Sequence, residues 1–293
     1  MPGEEYGLPL ILDLLKQENI KAVFFVEALS SFRHGILNLK SIAERILSDG
    51  HEIQLHLHPS LRHPIRKPDT EIHIGKYPLN KQIDFIKRGV SVLERCGVED
   101  ISAFRAGGFG VSNATLVALE QCGFVCDSSY NLNYLDSSCR LKLPGSPRND
   151  VFQYGNIVEF PVTCFRNPLS AKIPFRHLQI TASSYQETTE TLLMAHQNKT
   201  KSVTLLLHSF EFIKFFNKER TVGKPITINI KRFAKLLKFL SSKRDLFDVS
   251  GFNNLSSTYI NSIKILKDQS DFIPKLPLSL KIGRQIEQLI TRF

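Results

Sequence analysis

The chain has 293 residues, of which 42% are hydrophobic and 23% charged, with a formal net charge of +10 at pH 7. This composition is typical of a folded protein with a sizeable core and excludes disordered and fibrous classes. The longest apolar runs, 8–12 and 203–207, are far shorter than the roughly 20 residues that a membrane-spanning helix needs, so we expect no transmembrane segment.

The beginning of the chain lacks a basic stretch followed by an apolar run, so we predict no secretory signal and a cytoplasmic location. The five cysteines form no CxxC pair, which argues against a disulfide framework and a thiolate zinc site. Lys and Arg are spread along the whole chain without a known DNA- or RNA-binding signature. Nucleic acid is therefore not an expected partner.

Helix-like and strand-like apolar periods alternate along the chain. Helices are predicted at 8–15, 39–47, 83–93, 112–123, 184–196 and 233–240. Strands are predicted at 22–26, 52–57, 124–126, 157–162, 203–207 and 247–249, with a further strand ending at Phe104. Ser184 and Glu187 fit a capping box at the start of their helix. This alternation predicts an α/β fold with a parallel sheet of about seven strands, open or closed into a barrel.

The organisation of the two ends differs from that of the middle. An α/β protein normally opens with a strand, whereas the first element here is a helix, so we infer that a first strand is missing. We divide the chain into a main domain, residues 1–250, and a basic extension, residues 251–293. In the extension, Ile282, Ile286, Leu289 and Ile290 fit a short amphipathic helix. We expect it to dock on the body of the protein; a partner protein and peripheral contact with a membrane surface stay open.

Polar residues at the carboxyl ends of the predicted strands are the candidates for chemistry, because ligands of such folds bind there. On the strand 52–57, alternation sends Leu55 and Leu57 to one face and His56 to the other, where His58 follows. Two imidazoles so placed are suited to hold a metal ion such as zinc. A catalytic zinc site needs one more protein ligand and an open coordination position for water. His63 is a candidate for that ligand. The alternative is that these histidines are structural.

Three further positions lie at predicted strand ends. His208 follows the strand 203–207 and suits a general acid, with a purely structural contact as the alternative. Arg105 is followed by a glycine-rich turn in which Gly107, Gly108 and Phe109 let the backbone approach a ligand closely. Asp127 is either a site carboxylate or a turn residue, and we favour the turn.

Together these segments resemble the polysaccharide deacetylase family over residues 7–249. The resemblance is carried by Ile-Lys-Ala-Val-Phe-Phe-Val (20–26), Gly-His-Glu-Ile (50–53) leading to His56, Phe-Arg-Ala-Gly-Gly (104–108), Gly-Phe (123–124) with Asp-Ser-Ser (127–129), and Leu-Leu-His (206–208). Its order and spacing, rather than any single motif, make it specific.

The resemblance implies a distorted (β/α) barrel and a metal-dependent esterase that removes acetyl groups from N-acetylated sugars. It implies that His56 is a metal ligand, that Arg105 orients a catalytic carboxylate, that Leu206 lines an acetyl pocket and that His208 is the acid. The family's second metal histidine falls on Ser60, so His58 is the expected substitute.

The family's first, acidic motif has no counterpart in the sequence. Glu4 and Glu5 are the nearby carboxylates, and they occupy a different place relative to the first helix. We therefore predict a deacetylase of N-acetylated sugars in cell-surface or exopolysaccharide biosynthesis, with a divalent metal, zinc being expected, on His56 and His58. The alternative is a catalytically inactive descendant that binds glycans or acts as a scaffold.

Overall fold

The computed structural model describes residues 6–62, 71–145, 147–167, 173–217, 222–255, 259–260, 263 and 272–290. The chain forms two compact units. The sheet unit comprises Lys21–Val162 and Ser250–Asp271, and the basic unit comprises Met1–Ile20, Thr163–Val249 and Phe272–Phe293. The basic unit has 20 Lys and Arg against 11 Asp and Glu, so it carries +9 of the +10 net charge.

The sheet unit is built on one mostly parallel sheet. Its strands are β1 (Val23–Glu27), β2 (Glu52–Leu57), β3 (Ala103–Ala106), β4 (Cys126–Asp127), β5 (Phe152–Tyr154) and β6 (Ile157–Glu159). Their order is β1-β2-β3-β4-β6-β5, and β5 alone runs antiparallel to its neighbour. The predicted α/β class with a parallel sheet is confirmed.

The helices follow the predicted periodicity closely. Those with described bounds are α1 (Leu8–Gln17), α2 (Ser31–His34), α3 (Ile36–Ser48), α4 (Leu79–Arg95), α5 (Asn113–Gln121), α6 (Tyr185–Gln197), α7 (Thr227–Ser242) and α8 (Leu278–Ile290). Ser184 and Glu187 form the predicted capping box at the start of α6. Within the described ranges, no helix has the length and apolar character needed to cross a bilayer.

Close packing of α4 on β2 determines which face of that strand is left for chemistry. A Cβ built on Gly89 of α4 would lie 2.8 Å from side-chain carbons of both Leu55 and Leu57, so only glycine permits this approach. Because side chains alternate along a strand, His56 points to the opposite face of β2.

The basic unit contains two small antiparallel pairs. β7 (Cys164–Arg166) pairs with β8 (Phe175–His177), and β9 (Ile213–Phe215) pairs with β10 (Gly223–Pro225).

Two strands predicted in the basic unit do not form as regular strands. Residues 203–207 make only isolated bridges, such as Leu206 with Gln179, and Val203 and Leu205 pack on the cluster around Leu178. Residues 247–249 form no strand, because the chain turns after α7 and Phe247 packs back on Phe239. The first run pairs through single backbone hydrogen bonds with Thr163 and Leu178, and the second serves side-chain packing.

Candidate metal centre

The carboxyl ends of three neighbouring strands bring the candidate site together in the sheet unit. Glu27, the last residue of β1, is the register partner of His56 on β2, and His56 is the partner of Arg105 on β3. Partner residues on parallel strands point to the same face of a sheet. A carboxylate, an imidazole and a guanidinium therefore lie in one row across the strand ends.

Glu27, His56 and His58 form a cluster that offers metal ligands. One donor atom from each lies within 4.8 Å of the other two. The two imidazole rings meet edge to face, with centroids 4.8 Å apart. The predicted pairing of His56 with His58 is thus present, and Glu27 adds an oxygen donor to it.

Each imidazole is oriented by a hydrogen bond from its Nδ1. His56 Nδ1 lies 2.7 Å from the carbonyl oxygen of Arg105, which can only accept, so the proton is on Nδ1 and the lone pair on Nε2. His58 Nδ1 lies 2.7 Å from Glu27 Oε2. Histidines that bind metals commonly donate their other N–H to a carbonyl or a carboxylate in this way. The donor set therefore fits a divalent metal ion.

Both oxygens of the Glu27 carboxylate have protein partners. Oε2 bonds His58, and Oε1 accepts from the backbone N–H of Leu29 at 3.0 Å. Burial raises the pKa of Glu27, and the hydrogen bond from His58 only partly opposes that rise. Glu27 is thus a half-buried carboxylate whose two oxygens hold His58 and the Leu29 backbone.

The glycine-rich turn after β3 lies directly against the cluster. A Cβ built on Gly107 would lie 2.4 Å from Cδ2 and 2.5 Å from Nε2 of His58, so only glycine leaves room for that ring. Gly108 has a φ of +58°, a left-handed conformation that favours glycine. The Phe109 ring stacks on Tyr134, with centroids 5.3 Å apart. The close contact with the His58 ring therefore requires glycine at position 107 of this turn.

Arg105 is held by the loop that follows β4. Its Nε donates to the Ser128 carbonyl at 2.8 Å, its Nη2 donates to Ser128 Oγ at 2.7 Å, and its guanidinium lies over the Phe25 ring at 4.3 Å. Burial lowers the pKa of Arg105 to about 10, so the group stays charged at neutral pH.

Asp127 is a buried carboxyl at the end of β4, and it also holds the loop that follows, which is the role that the sequence favoured. It is the register partner of Glu159 on β6, so the two carboxyl groups lie on the same face of the sheet. Asp127 Oδ2 and Glu159 Oε2 are both buried and have no hydrogen-bond partner among the described residues. Asp127 Oδ1 accepts from Ser129 Oγ at 2.7 Å, and Glu159 Oε1 accepts from the Tyr130 N–H at 2.9 Å. Burial raises the pKa of both groups, that of Glu159 well above its usual range, and the charge of Asp127 adds to the latter rise. We infer that the pair shares a proton at neutral pH.

This buried pair should make stability fall as the pH rises. Above about pH 4 the unfolded carboxyls release protons that the native pair keeps, so stability is lost as the pH approaches the raised native pKa. Glu159→Gln keeps an oxygen for Tyr130 and supplies an N–H to Asp127. We expect it to raise the melting temperature at pH 8 and to flatten the pH dependence in thermal melts. Glu94→Gln, an exposed change of the same kind, is the control; equal slopes for both variants would contradict the shared proton.

His208 belongs to the basic unit, where a buried carboxylate holds it. Its Nδ1 lies 2.8 Å from Glu211 Oε1, and its ring stacks on Phe210 with centroids 4.8 Å apart. Glu211 is almost fully buried, whereas about half of the His208 side chain is exposed. Leu206 is buried, and its backbone forms an isolated parallel β-bridge with Gln179. The bond to Glu211 orients the imidazole, as a general acid requires.

Two functional candidates were missed in the sequence. Glu27 stands one residue beyond the predicted strand 22–26, and a carboxylate at that end, beside the strand of His56, was the available signal. Glu211 lies three residues after His208, within the 3₁₀ turn Ser209–Phe212. His63, Glu4 and Glu5 lie outside the described residues.

Comparisons with known proteins identify a family and a fold to which the chain is similar. The model of the polysaccharide deacetylase family matches residues 3–126. A Mycobacterium smegmatis structure, assigned by inference as a polysaccharide deacetylase, superposes with a TM-score of 0.55 at 17% identity, over 92% of this chain and 82% of that chain. No curated protein sequence matches the chain.

Two more distant structures show the range of the similarity. A family 4 carbohydrate esterase from Streptomyces lividans, in complex with acetate, gives a TM-score of 0.42 at 10% identity over 82% of this chain and 84% of that chain. A pseudoenzyme of that esterase family from Bacillus anthracis gives 0.32 at 16% identity over 41% and 39%. The TM-score of 0.55 with the Mycobacterium smegmatis structure indicates a shared fold. The chain therefore has the fold of the polysaccharide deacetylases, and its residues 3–126 match the sequence pattern of that family, as the resemblance predicted.

Proposed function

We propose that the protein is a metal-dependent deacetylase that hydrolyses the acetamide of an N-acetylated sugar in cell-surface or exopolysaccharide biosynthesis. The observation that carries the proposal is the cluster of Glu27, His56 and His58, whose donor atoms lie within 4.8 Å of one another at adjacent strand ends. It is supported by the match of the polysaccharide deacetylase family to residues 3–126, the segment that contains the cluster.

We propose zinc as the ion, held by His56 and His58 with Glu27 beside them, because neutral imidazoles and a carboxylate are donors that zinc takes in hydrolases. A divalent ion bound there supplies Lewis acidity toward an acetamide carbonyl and toward water. The Arg105 carbonyl and Glu27 accept from the two Nδ1 atoms, so the two Nε2 atoms would hold the ion when it is bound.

The remaining proposed roles concern the substrate and the leaving amine. Gly107 is buried against the His58 ring, so the exposed Gly108 is the glycine against which we propose that a sugar lies. His208 lies in the basic unit, where Glu211 orients its ring, and its role as the acid for the departing amine is assigned by the resemblance alone. Leu206 is assigned to the acetyl pocket by the resemblance alone. The cytoplasmic location stays a prediction.

The second candidate is an inactive protein that binds glycans or acts as a scaffold. The observation that favours it is that Glu27 is the single carboxylate of the cluster and both its oxygens are engaged, by His58 and by Leu29. A carboxylate so engaged is a poor general base, since its lone pairs are already directed to donors. On this alternative the protein still binds N-acetylated sugars but releases no acetate.

Acetate release from N-acetylglucosamine oligomers separates the two candidates. We expect the zinc-loaded protein to release acetate, a chelator to stop it, and His208→Ala to lower the rate about 100-fold or more because general-acid catalysis contributes about that much. His196→Ala, an exposed histidine on α6, is the control and should keep full activity. Sugar binding by calorimetry without acetate release would favour the inactive alternative.

A further inference from the structure

The helix α8 is amphipathic, and its apolar side faces solvent. Leu278, Ile282, Ile286 and Leu289 are 44%, 48%, 51% and 56% exposed. Their spacing of four, four and three residues places them along one side of the helix. They form the α8 stripe, a continuous row of large aliphatic side chains without a cover in the described part of the chain.

The other side of α8 is fixed to the basic unit by polar contacts. Arg284 is buried, and its Nε lies 2.9 Å from Glu187 Oε2. Glu287 Oε2 lies 2.7 Å from Nη2 of the buried Arg232. Rotating the helix to bury the α8 stripe would break both ion pairs and leave charges buried without partners, which is strongly unfavourable. The outward orientation of the stripe is therefore built into the fold.

The size of the α8 stripe argues against a second copy of the chain as its cover. Four side chains, each about half exposed, offer the surface of about two whole residues, whereas a stable protein interface buries about 800 Å² per partner, contributed by about 20–30 residues. A bilayer imposes no such minimum, because a single interfacial helix inserts its apolar side between lipid headgroups.

The charge of the basic unit indicates which kind of surface fits. The unit that contains α8 carries a net charge of +9, and Lys281 lies on α8 beside the α8 stripe. Phe216, directly after β9, and Val222, directly before β10, are two more exposed large apolar residues of the same unit, and the Lys224 ammonium lies over the Phe216 ring. Apolar side chains together with an excess of cations are typical of proteins that bind anionic membrane surfaces.

We propose that the α8 stripe docks on an anionic lipid bilayer, with α8 lying in the plane of the interface. Leu278, Ile282, Ile286 and Leu289 enter the boundary between headgroups and acyl chains, and the cations of the basic unit contact lipid phosphates. Binding of this kind is reversible and weakens as salt screens the charges. It does not depend on the metal centre or on deacetylase activity.

The test is sedimentation of the full chain with vesicles of phosphatidylglycerol and phosphatidylcholine, beside vesicles of phosphatidylcholine alone. We expect wild-type protein to bind the anionic vesicles. The double variant Ile282→Ser, Ile286→Ser should bind them at least about tenfold more weakly. The matched control is Leu37→Ser, Ile42→Ser, which changes two exposed apolar residues on α3 and should bind like wild type. Circular dichroism and thermal melts verify that both double variants fold.

Other outcomes would overturn the proposal. Wild-type protein that stays in the supernatant with anionic vesicles, or an Ile282→Ser, Ile286→Ser variant that sediments like wild type, would rule out the bilayer. Light scattering after size exclusion measures the oligomeric state and so tests a second copy of the chain as the cover of the α8 stripe. If wild-type protein does not bind vesicles and is a dimer that only the Ile282→Ser, Ile286→Ser variant converts to a monomer, the cover is a second copy.

Discussion

Replacing both His56 and His58 by alanine should abolish tight zinc binding. The change removes two of the three donors of the cluster and leaves Glu27, a single half-buried carboxylate, which cannot hold the ion alone. Metal content by mass spectrometry after dialysis should fall from about one ion per chain to none. A calorimetric titration should show a zinc affinity at least about 100-fold lower. Removing a residue that only hydrogen-bonds a metal ligand already costs about 10-fold to 100-fold in metal affinity, and here two ligands are removed.

The control for this variant is His34→Ala, which removes an exposed histidine of α2 in the same unit. It should keep the metal content of wild type. Equal zinc content in the double variant and the control would show that the ion binds elsewhere, and the proposed centre would then be wrong.

Gly107→Ala should damage the same centre without removing any donor. The new methyl group would lie about 2.4–2.6 Å from three atoms of the His58 ring, a distance at which the ring must move. Moving it breaks the 2.7 Å bond to Glu27, so we expect zinc affinity to fall about 10-fold to 100-fold. Overpacking should also lower the free energy of unfolding by about 1–3 kcal/mol.

Gly283→Ala is the matched control, because nothing lies within 4 Å of a Cβ at that position of α8. Its zinc affinity should be unchanged, and its stability unchanged or raised by up to about 1 kcal/mol through helix propensity. If Gly107→Ala binds zinc as tightly as wild type, His58 is not a ligand.

The imidazole pair was predictable because its signals are local. Alternation along the strand 52–57, bounded by Gly50, fixes the face on which His56 lies, and β2 has the predicted bounds. The capping box of Ser184 with Glu187 is equally local and was also predicted correctly. Where a side chain's place follows from a period of two residues or from a cap, sequence reasoning is sufficient.

The carboxylates were not predictable in the same way, because their partners are distant in sequence. Glu27 bonds His58, 31 residues away, and the acidic ligand was expected upstream of the first helix. Asp127 lies beside Glu159 because β4 pairs with β6. This pairing follows from the order of strands in the sheet and not from the residues next to Asp127 in the sequence. Local signals at Asp127 indicated its bond to the following loop, but not its place beside Glu159.

The composition of the basic unit from three separate chain segments has a consequence for how the protein folds. Arg244 donates to the carbonyl oxygens of Glu18 and Asn19, 226 and 225 residues away along the chain, both at 2.9 Å. Loop-closure entropy makes such long-range contacts late events, and a ribosome delivers the partners of α1 only when α7 has emerged. During synthesis the apolar residues Ile11, Leu12 and Leu15 of α1 must therefore wait without their final partners. This interval is where a chaperone would act, and where the nascent chain is most exposed to aggregation.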